Sequence, residues 1–326
     1  MSRNLICVQA KLSAAPYESA AAFRAYVYDL CERALDAAPS GNTLLAFPEA
    51  IGFPLVFSLG GADILRLGNT TELARALLRR DWCAAFLMML RYRAFGLNAF
   101  FLPHAVAAHR AYVDTFAHAA KDFGVTIQAG SSFLPKFENE PSKGLHLENG
   151  RVYNLAYTFA PTGKTLARHA KVHLTKGLES SLNFSKGSLP ELTPLQTPVG
   201  KVGVAICLDG FYDSVAAHYD ALGTEILVQP SANFASWSRP WAPDPNLSEG
   251  EAWLSQGLAA SLQDRLHLRY GLNPMLVGEL WGLRAEGRTS ISVNAGLEPD
   301  INLEGYKGLA AIAETHDEEA FVRYSV

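Results

Sequence analysis

The stretch Asn4-Leu-Ile-Cys-Val-Gln-Ala10, with apolar residues at helical spacing over 17–38 and then Thr43-Leu-Leu-Ala-Phe47 closed by Pro48, decides the fold class. A strand-like run, a helix-length amphipathic segment and a second apolar run ended by a residue without a backbone donor form the repeating unit of an α/β layered protein. Working outward, Val125-Thr-Ile-Gln-Ala-Gly130, Val202 to Cys207 and Glu225 to Gln229 read as further strands, and 214–222 reads as a helix. Asn149-Gly150, between the alternating residues 146–148 and 152–159, predicts a hairpin turn. Pro161-Thr-Gly163 predicts another turn.

Between these strands, residues 51–122 are rich in Ala, Leu and Phe and read as two or three helices rather than a loop. After Pro230 comes a Trp/Pro-rich loop over 237–245, a helix over about 249–264, and strands over 275–280, 289–293 and 321–324. With no internal repeat, linker or low-complexity tract, the expectation is one domain over 1–326 with an enlarged helical region at about 51–122.

Composition narrows the function classes. A chain of 326 residues, 49% of them hydrophobic, can bury a sizeable core. A net charge of −4, with no basic block or basic helix face, argues against a nucleic-acid partner. The apolar start is too short for a signal peptide, and Cys7, Cys31, Cys83 and Cys207 lack CxxC spacing, so a reduced, cytoplasmic protein is expected. The most membrane-like stretch, 82–106, is interrupted by Arg91, Arg93, Asn98, Pro103 and His104; it reads as a core or interface helix, and no membrane partner is expected.

Three passages place a reactive group at a strand end, where α/β folds gather their sites: Leu45-Ala-Phe-Pro-Glu49, Arg168-His-Ala-Lys171-Val-His-Leu174 and Val204-Ala-Ile-Cys207-Leu-Asp-Gly-Phe211. A thiol of ordinary pKa, about 8.5, is only slightly ionised at neutral pH, so a nucleophilic cysteine needs a base or a positive neighbour. Glu49 and Lys171 could supply one each.

These passages resemble the nitrilase superfamily of carbon-nitrogen hydrolases, whose members use a Glu-Lys-Cys triad. Phe47-Pro-Glu49 is similar to the family's base motif. Val152-Tyr-Asn-Leu-Ala156, Pro161-Thr-Gly163 and Lys171-Val-His-Leu174 resemble its continuous hairpin-to-lysine passage, and Cys207-Leu-Asp209 resembles its cysteine elbow. Glu179 falls eight residues after Lys171, where family members carry a supporting glutamate. The resemblance covers about 4–50 and 125–235 and is weak elsewhere.

It implies a four-layer α-β-β-α sandwich, a cofactor-free and metal-free hydrolase of a small amide or nitrile, and a homodimer or higher homo-oligomer formed through outer helices, including the one at 214–222. The implied roles are Glu49 as base and acid, Cys207 as nucleophile of a thioacyl enzyme, Lys171 and the Leu208 N–H facing the developing oxyanion, and Glu179 supporting Lys171. Leu208, where the nitrilase branch commonly has Trp, favours an amide or carbamoyl amide over a nitrile. Soluble acyl transfer and simple binding are the other readings.

Tyr212, Phe234, Trp237 and Trp241 flank the nucleophile and are candidates for lining a substrate pocket, or equally for core. Alone, Cys207 could be a buried structural cysteine, Glu49 a helix N-terminal acid and Lys171 a solvated charge. His169 and His173, like His104 and His109, have spacings a metal could use, but no third ligand accompanies either pair, and no metal is expected.

Overall fold

A computed structural model describes residues 2–36, 38, 41–94, 96–140, 144–176 and 178–326. In chain order its elements begin with β1 (Arg3–Leu12), α1 (Ala20–Leu35), β2 (Asn42–Ala46) and α2 (Leu55–Ser58). Next come α3 (Thr70–Tyr92), α4 (Ala105–Phe123), β3 (Thr126–Glu140), β4 (Gly144–Phe159), β5 (Thr165–Ala170) and α5 (Leu178–Ser181). Then follow β6 (Leu195–Thr197), β7 (Gly200–Val204), α6 (Asp213–Ala221), β8 (Ile226–Val228) and β9 (Ser231–Ala232). The remainder holds α7 (Glu249–Ser255), α8 (Leu258–Ser261), β10 (Tyr270–Asn273), β11 (Met275–Leu280), β12 (Leu283–Ala285), β13 (Ser290–Val293), β14 (Asn302–Leu303), β15 (Tyr306–Lys307), β16 (Leu309–Ile312) and β17 (Ala320–Ser325).

Two sheets stack. One runs β12-β11-β1-β2-β3-β4-β5, with β17 and β9 added beside β1 and β11, and the other runs β16-β13-β10-β8-β7-β6. Because successive side chains of a strand point to opposite faces, β1 and β2 each serve two layers. Leu5, Cys7, Leu44 and Ala46 meet Val202, Ile226, Val228 and Leu272 between the sheets. Ile6, Val8, Leu45 and Phe47 pack outward with Phe23, Val27 and Phe116 of α1 and α4. On the far side, Ala205 and Leu227 are covered by Val215, Ala216 and Tyr219 of α6 and by Leu258 and Leu262. The result is the α-β-β-α sandwich that the family resemblance implies.

Helices α1 and α3 start where the sequence supplies caps. Ser19 accepts the Ala22 N–H at the start of α1, and Asn69 accepts the Glu72 N–H at the start of α3. The region 51–122 holds α2, α3 and α4 with two 3-10 turns, at Ala62–Arg66 and Leu97–Phe101. The Arg80–Asp81–His104 cluster pins α3 to this layer: Arg80 Nη2 and His104 Nε2 reach Asp81 at 2.8 and 3.2 Å.

Two local expectations are corrected. Asn149-Gly150 is not a hairpin turn: β4 runs through it, and β3 and β4 stay paired as far as Glu140↔Gly144. Pairing passes from Pro135↔Val152 to Phe137↔Leu147, so the dipeptide lies in a bulge, where the Arg151 N–H donates to Asn149 Oδ1 at 2.9 Å. Gly150 is needed there for clearance, since a Cβ would lie 2.8 Å from the Tyr92 and Ala94 side chains at the end of α3. The helix expected over 249–264 is divided into α7 and α8 at Gln256-Gly257.

Candidate active site

The strand ends converge on one side of the sandwich. Glu49 lies three residues past β2, Lys171 directly after β5, and Cys207 three past β7. All three line a cavity of about 730 Å³ together with Glu179. The turn carrying Glu49 is held by β3: the Ala50 N–H donates to Ser131 Oγ at 3.0 Å and the Gly52 N–H to the Ser131 carbonyl at 3.1 Å. Gly130, at φ +66°, permits this approach, because a Cβ there would lie 1.9 Å from the Pro48 carbonyl oxygen.

Lys171 sits between two carboxylates, with Nζ 2.8 Å from Glu49 Oε1 and 2.8 Å from Glu179 Oε2. Its side chain is 1% exposed and theirs 5% and 4%, so water screens little of this charge. Asn154, from β4, donates through Nδ2 to Glu49 Oε1 at 2.7 Å and to Glu179 Oε1 at 2.8 Å. The Ala232 N–H donates to Glu49 Oε2 at 3.0 Å, and the Thr175 N–H to Glu179 Oε2 at 2.8 Å. The Cys207 thiol and the Glu49 carboxylate are near enough to influence each other's ionisation.

These contacts separate the two acids electrostatically. Burial pushes the Glu49 carboxyl above its ordinary value, with the Glu179 charge adding to the rise and Lys171 opposing it. Burial also acts upward on Glu179, but Lys171 and the donors from Thr175 and Asn154 outweigh it and hold this carboxyl below its usual range. For Lys171, burial acts downward and is overcome by the negative groups around it, which keep the ammonium charged. Burial, reinforced by Glu49, drives the Cys207 thiol well up, so the resting sulfur is a protonated thiol beside a raised carboxylate.

Cys207 has a left-handed backbone, φ +50°, at the start of a 3-10 turn, Cys207–Phe211. Its N–H donates to the Pro230 carbonyl at 2.9 Å, and Gln229 Nε2 donates to its carbonyl at 2.6 Å. A left-handed non-glycine residue is held only where its surroundings fix it, and these two bonds do so. Leu208, next in the turn, lines the cavity.

Asp209 braces the far side. It accepts the Val172 N–H at 3.1 Å, the His173 N–H at 2.7 Å and His173 Nδ1–H at 2.9 Å, which ties the cysteine turn to the segment after Lys171. The His173 ring stacks on Tyr212, with centroids 3.6 Å apart.

Of the residues expected to line the pocket, Tyr212, Phe234 and Trp241 do and Trp237 does not. Trp237 packs its indole against Gly250, and its backbone N–H donates to Glu286 Oε2 at 2.7 Å, so it supports the loop from behind. Trp253 and Phe133, which the sequence did not single out, line the cavity as well. The paired histidines have other partners: His169 Nε2–H donates to the Thr193 carbonyl at 3.0 Å, and the His109 ring lies against Phe137. Among the described residues no cluster of three or more candidate ligands could hold a metal ion.

The sequence model of the carbon-nitrogen hydrolases matches residues 7–256. The chain belongs to the carbon-nitrogen hydrolase family. Among solved structures, this family member resembles a carbon-nitrogen hydrolase from Helicobacter pylori G27 (TM-score 0.61, 19% identity, 99% of this chain and 88% of that one). It also resembles the amidase from Nesterenkonia sp. (TM-score 0.59, 16% identity, 100% and 90%). Among curated proteins, an omega-amidase of Xenopus tropicalis is 29% identical over 126 residues, 36% of this chain and 41% of that protein. The chain thus spans about two-fifths of the length of the curated relatives it matches.

Proposed function

We propose that the protein hydrolyses the carbon–nitrogen bond of a small amide, with Cys207 as nucleophile, Glu49 as the acid and base, and Lys171 as the fixed cation. The observation that carries this reading is the lysine clamped at 2.8 Å between two buried carboxylates in the cavity that holds the thiol. Its volume, about 730 Å³, suits a small molecule.

In the proposed cycle Glu49 takes the Cys207 proton as sulfur bonds to the amide carbon, and negative charge collects on the substrate oxygen. Lys171 and the Leu208 N–H face that charge; donors of this kind are typically worth about 3 kcal/mol each. Glu49 passes the proton to the departing nitrogen, the carbon–nitrogen bond breaks, and a thioacyl enzyme remains. Water then gives a proton to Glu49 as its oxygen attacks, the carbon–sulfur bond breaks and the acid leaves, and the proton returns to sulfur. A carboxylate raised by burial suits both halves of this cycle better than an ordinary one. Glu179 takes no proton; it holds Lys171, and Asn154 holds both acids.

An amide is favoured over a nitrile by Leu208 after the cysteine and by the amidases among the relatives. Four free thiols fit a reducing compartment such as the cytoplasm. We also place a homodimer contact on the outer face of α6, which Leu222, 40% exposed, borders; sedimentation at micromolar concentration tests it.

The deciding experiment incubates the protein with paired amides and nitriles, measures ammonia, and follows the intact mass. Ammonia release from amides with a transient acyl adduct on Cys207, absent in Cys207→Ala, supports the proposal. Reversible binding without an adduct overturns it in favour of a binding protein, and transfer of the acyl group to an added amine in preference to water overturns it in favour of an acyltransferase.

A further inference from the structure

Helix α3 presents an unusual outer face. Its inner edge, Leu73, Leu77, Asp81 and Ala85, is buried against the body of the protein. On the outside, Leu78, Trp82, Phe86, Leu87 and Leu90 are 50–64% exposed, and Leu97 just beyond the helix is 50% exposed. These six are half of the large hydrophobic side chains that stand exposed among the described residues. Scattered exposed leucines are ordinary, but a contiguous row at i, i+4 spacing with Trp and Phe at its centre is not.

The charges beside it have one sign. Arg75 precedes the apolar row and Arg79 lies within it, between Leu78 and Trp82, Arg91 and Arg93 follow it, and all four are exposed. None of the four enters an ion pair among the described residues; Arg91 lies over the Tyr92 ring. Arginine that serves the fold here is used differently: Arg80 turns inward to Asp81 and the Phe57 carbonyl. The only acid of the outer face, Glu72, is taken up at the helix start by Asn69 and the Gly68 N–H.

Against the sequence expectation of no membrane partner, we propose that this face docks on an anionic lipid bilayer, with α3 lying in the plane of the headgroups. A helix carrying aromatic and leucine side chains between arginines is the pattern of an interfacial segment, in which the side chains enter the acyl boundary and the guanidinium groups take lipid phosphates. From residue 79 to residue 91 the helix rises about 18 Å, so a flat anionic surface meets both arginine ends at once. A second copy of the chain fits less well, because a two-fold contact, whether it sets the helices parallel or antiparallel, brings arginine-bearing ends together. The mode is peripheral: no helix among the described residues is long and apolar enough to cross a membrane.

The test is co-sedimentation of the full chain with vesicles of phosphatidylcholine alone or with about 30% phosphatidylserine. Expected is at least about tenfold stronger partition onto the anionic vesicles, weakened by high salt. Phe86→Ser with Leu90→Ser should abolish it, and so, separately, should Arg75→Gln with Arg79→Gln. All four positions are exposed and outside the cavity, so circular dichroism and amide turnover in solution should match the parent. Equal partition onto both vesicle types, or none, overturns the proposal. Concentration-dependent self-association that Phe86→Ser with Leu90→Ser abolishes overturns it too, since the face is then covered by another copy.

Discussion

Replacing Lys171 by Met keeps most of the side-chain volume and removes the charge, which isolates the electrostatic role of the clamp. Two contacts of 2.8 Å are lost, and Glu49 and Glu179 are left facing each other with side chains 5% and 4% exposed. Breaking a buried pair by deleting one partner costs about 3–5 kcal/mol. Glu49 relieves part of this by binding a proton, because its carboxyl is already raised by burial.

That gives the variant a signature in pH. A carboxyl raised in the folded state binds more protons there than in the unfolded chain. The stability of the variant is therefore full below the unfolded value, about 4.3, and falls as pH rises through the folded one. Turnover loses one oxyanion partner, about 3 kcal/mol or on the order of a hundredfold in kcat/KM, and more once Glu49 is protonated. Urea unfolding at several pH values, with ammonia release on the same preparations, measures both. Adding Glu179→Gln should restore much of the stability and none of the activity. A single variant destabilised by less than about 1 kcal/mol, or one indifferent to Glu179→Gln, would refute the claim that the lysine is held as a dehydrated counter-ion.

Glu49→Gln should lower amide turnover by about 10²–10⁴-fold with folding retained, as followed by steady-state ammonia release and thermal melts. In the parent, the acidic limb of kcat/KM against pH should lie above the ordinary glutamate range, since burial raises Glu49 and activity needs its ionised form. Asn154→Asp places a third carboxyl against the pair and should move that limb further up, whereas Asn154→Gln should not. Trp241→Ala should raise KM for an amide substrate, while Trp237→Ala should lower the melting temperature and leave KM unchanged, because only Trp241 faces the cavity.

The layer order and the strand ends could be read from local apolar runs because each run is short and stopped by a residue that cannot continue it: Pro48 after β2, Gly163 between β4 and β5, and Pro230 after β8. The residues following β2, β5 and β7 meet in the cavity because parallel strands of a layered fold end on the same side. Other features were set by long-range packing. Asn149-Gly150 has strong turn chemistry, yet the end of α3 lies over it and β3 pairs on both sides of it, so the dipeptide becomes a bulge. Trp237 and Trp241 are indistinguishable by composition, and only the loop's docking on Gly250 and Glu286 turns one away.

Asn154 was visible only as part of a motif. Its signal was a polar residue inside a run, Val152 to Phe159, that is otherwise almost wholly apolar and whose alternation points it inward; its full burial agrees. The Ala232 N–H carries no side-chain signature at all.

The carboxylates and the lysine hang from one sheet and the sulfur from the other, with Asp209 bridging the gap. The reach between acid and thiol is consequently a matter of interlayer thickness, set by Leu5, Cys7, Leu44 and Ala46 against Val202, Ile226 and Val228. Those side chains behave as spacers. A methylene more or less among them would retune the chemistry from a distance, without altering any group that meets the substrate.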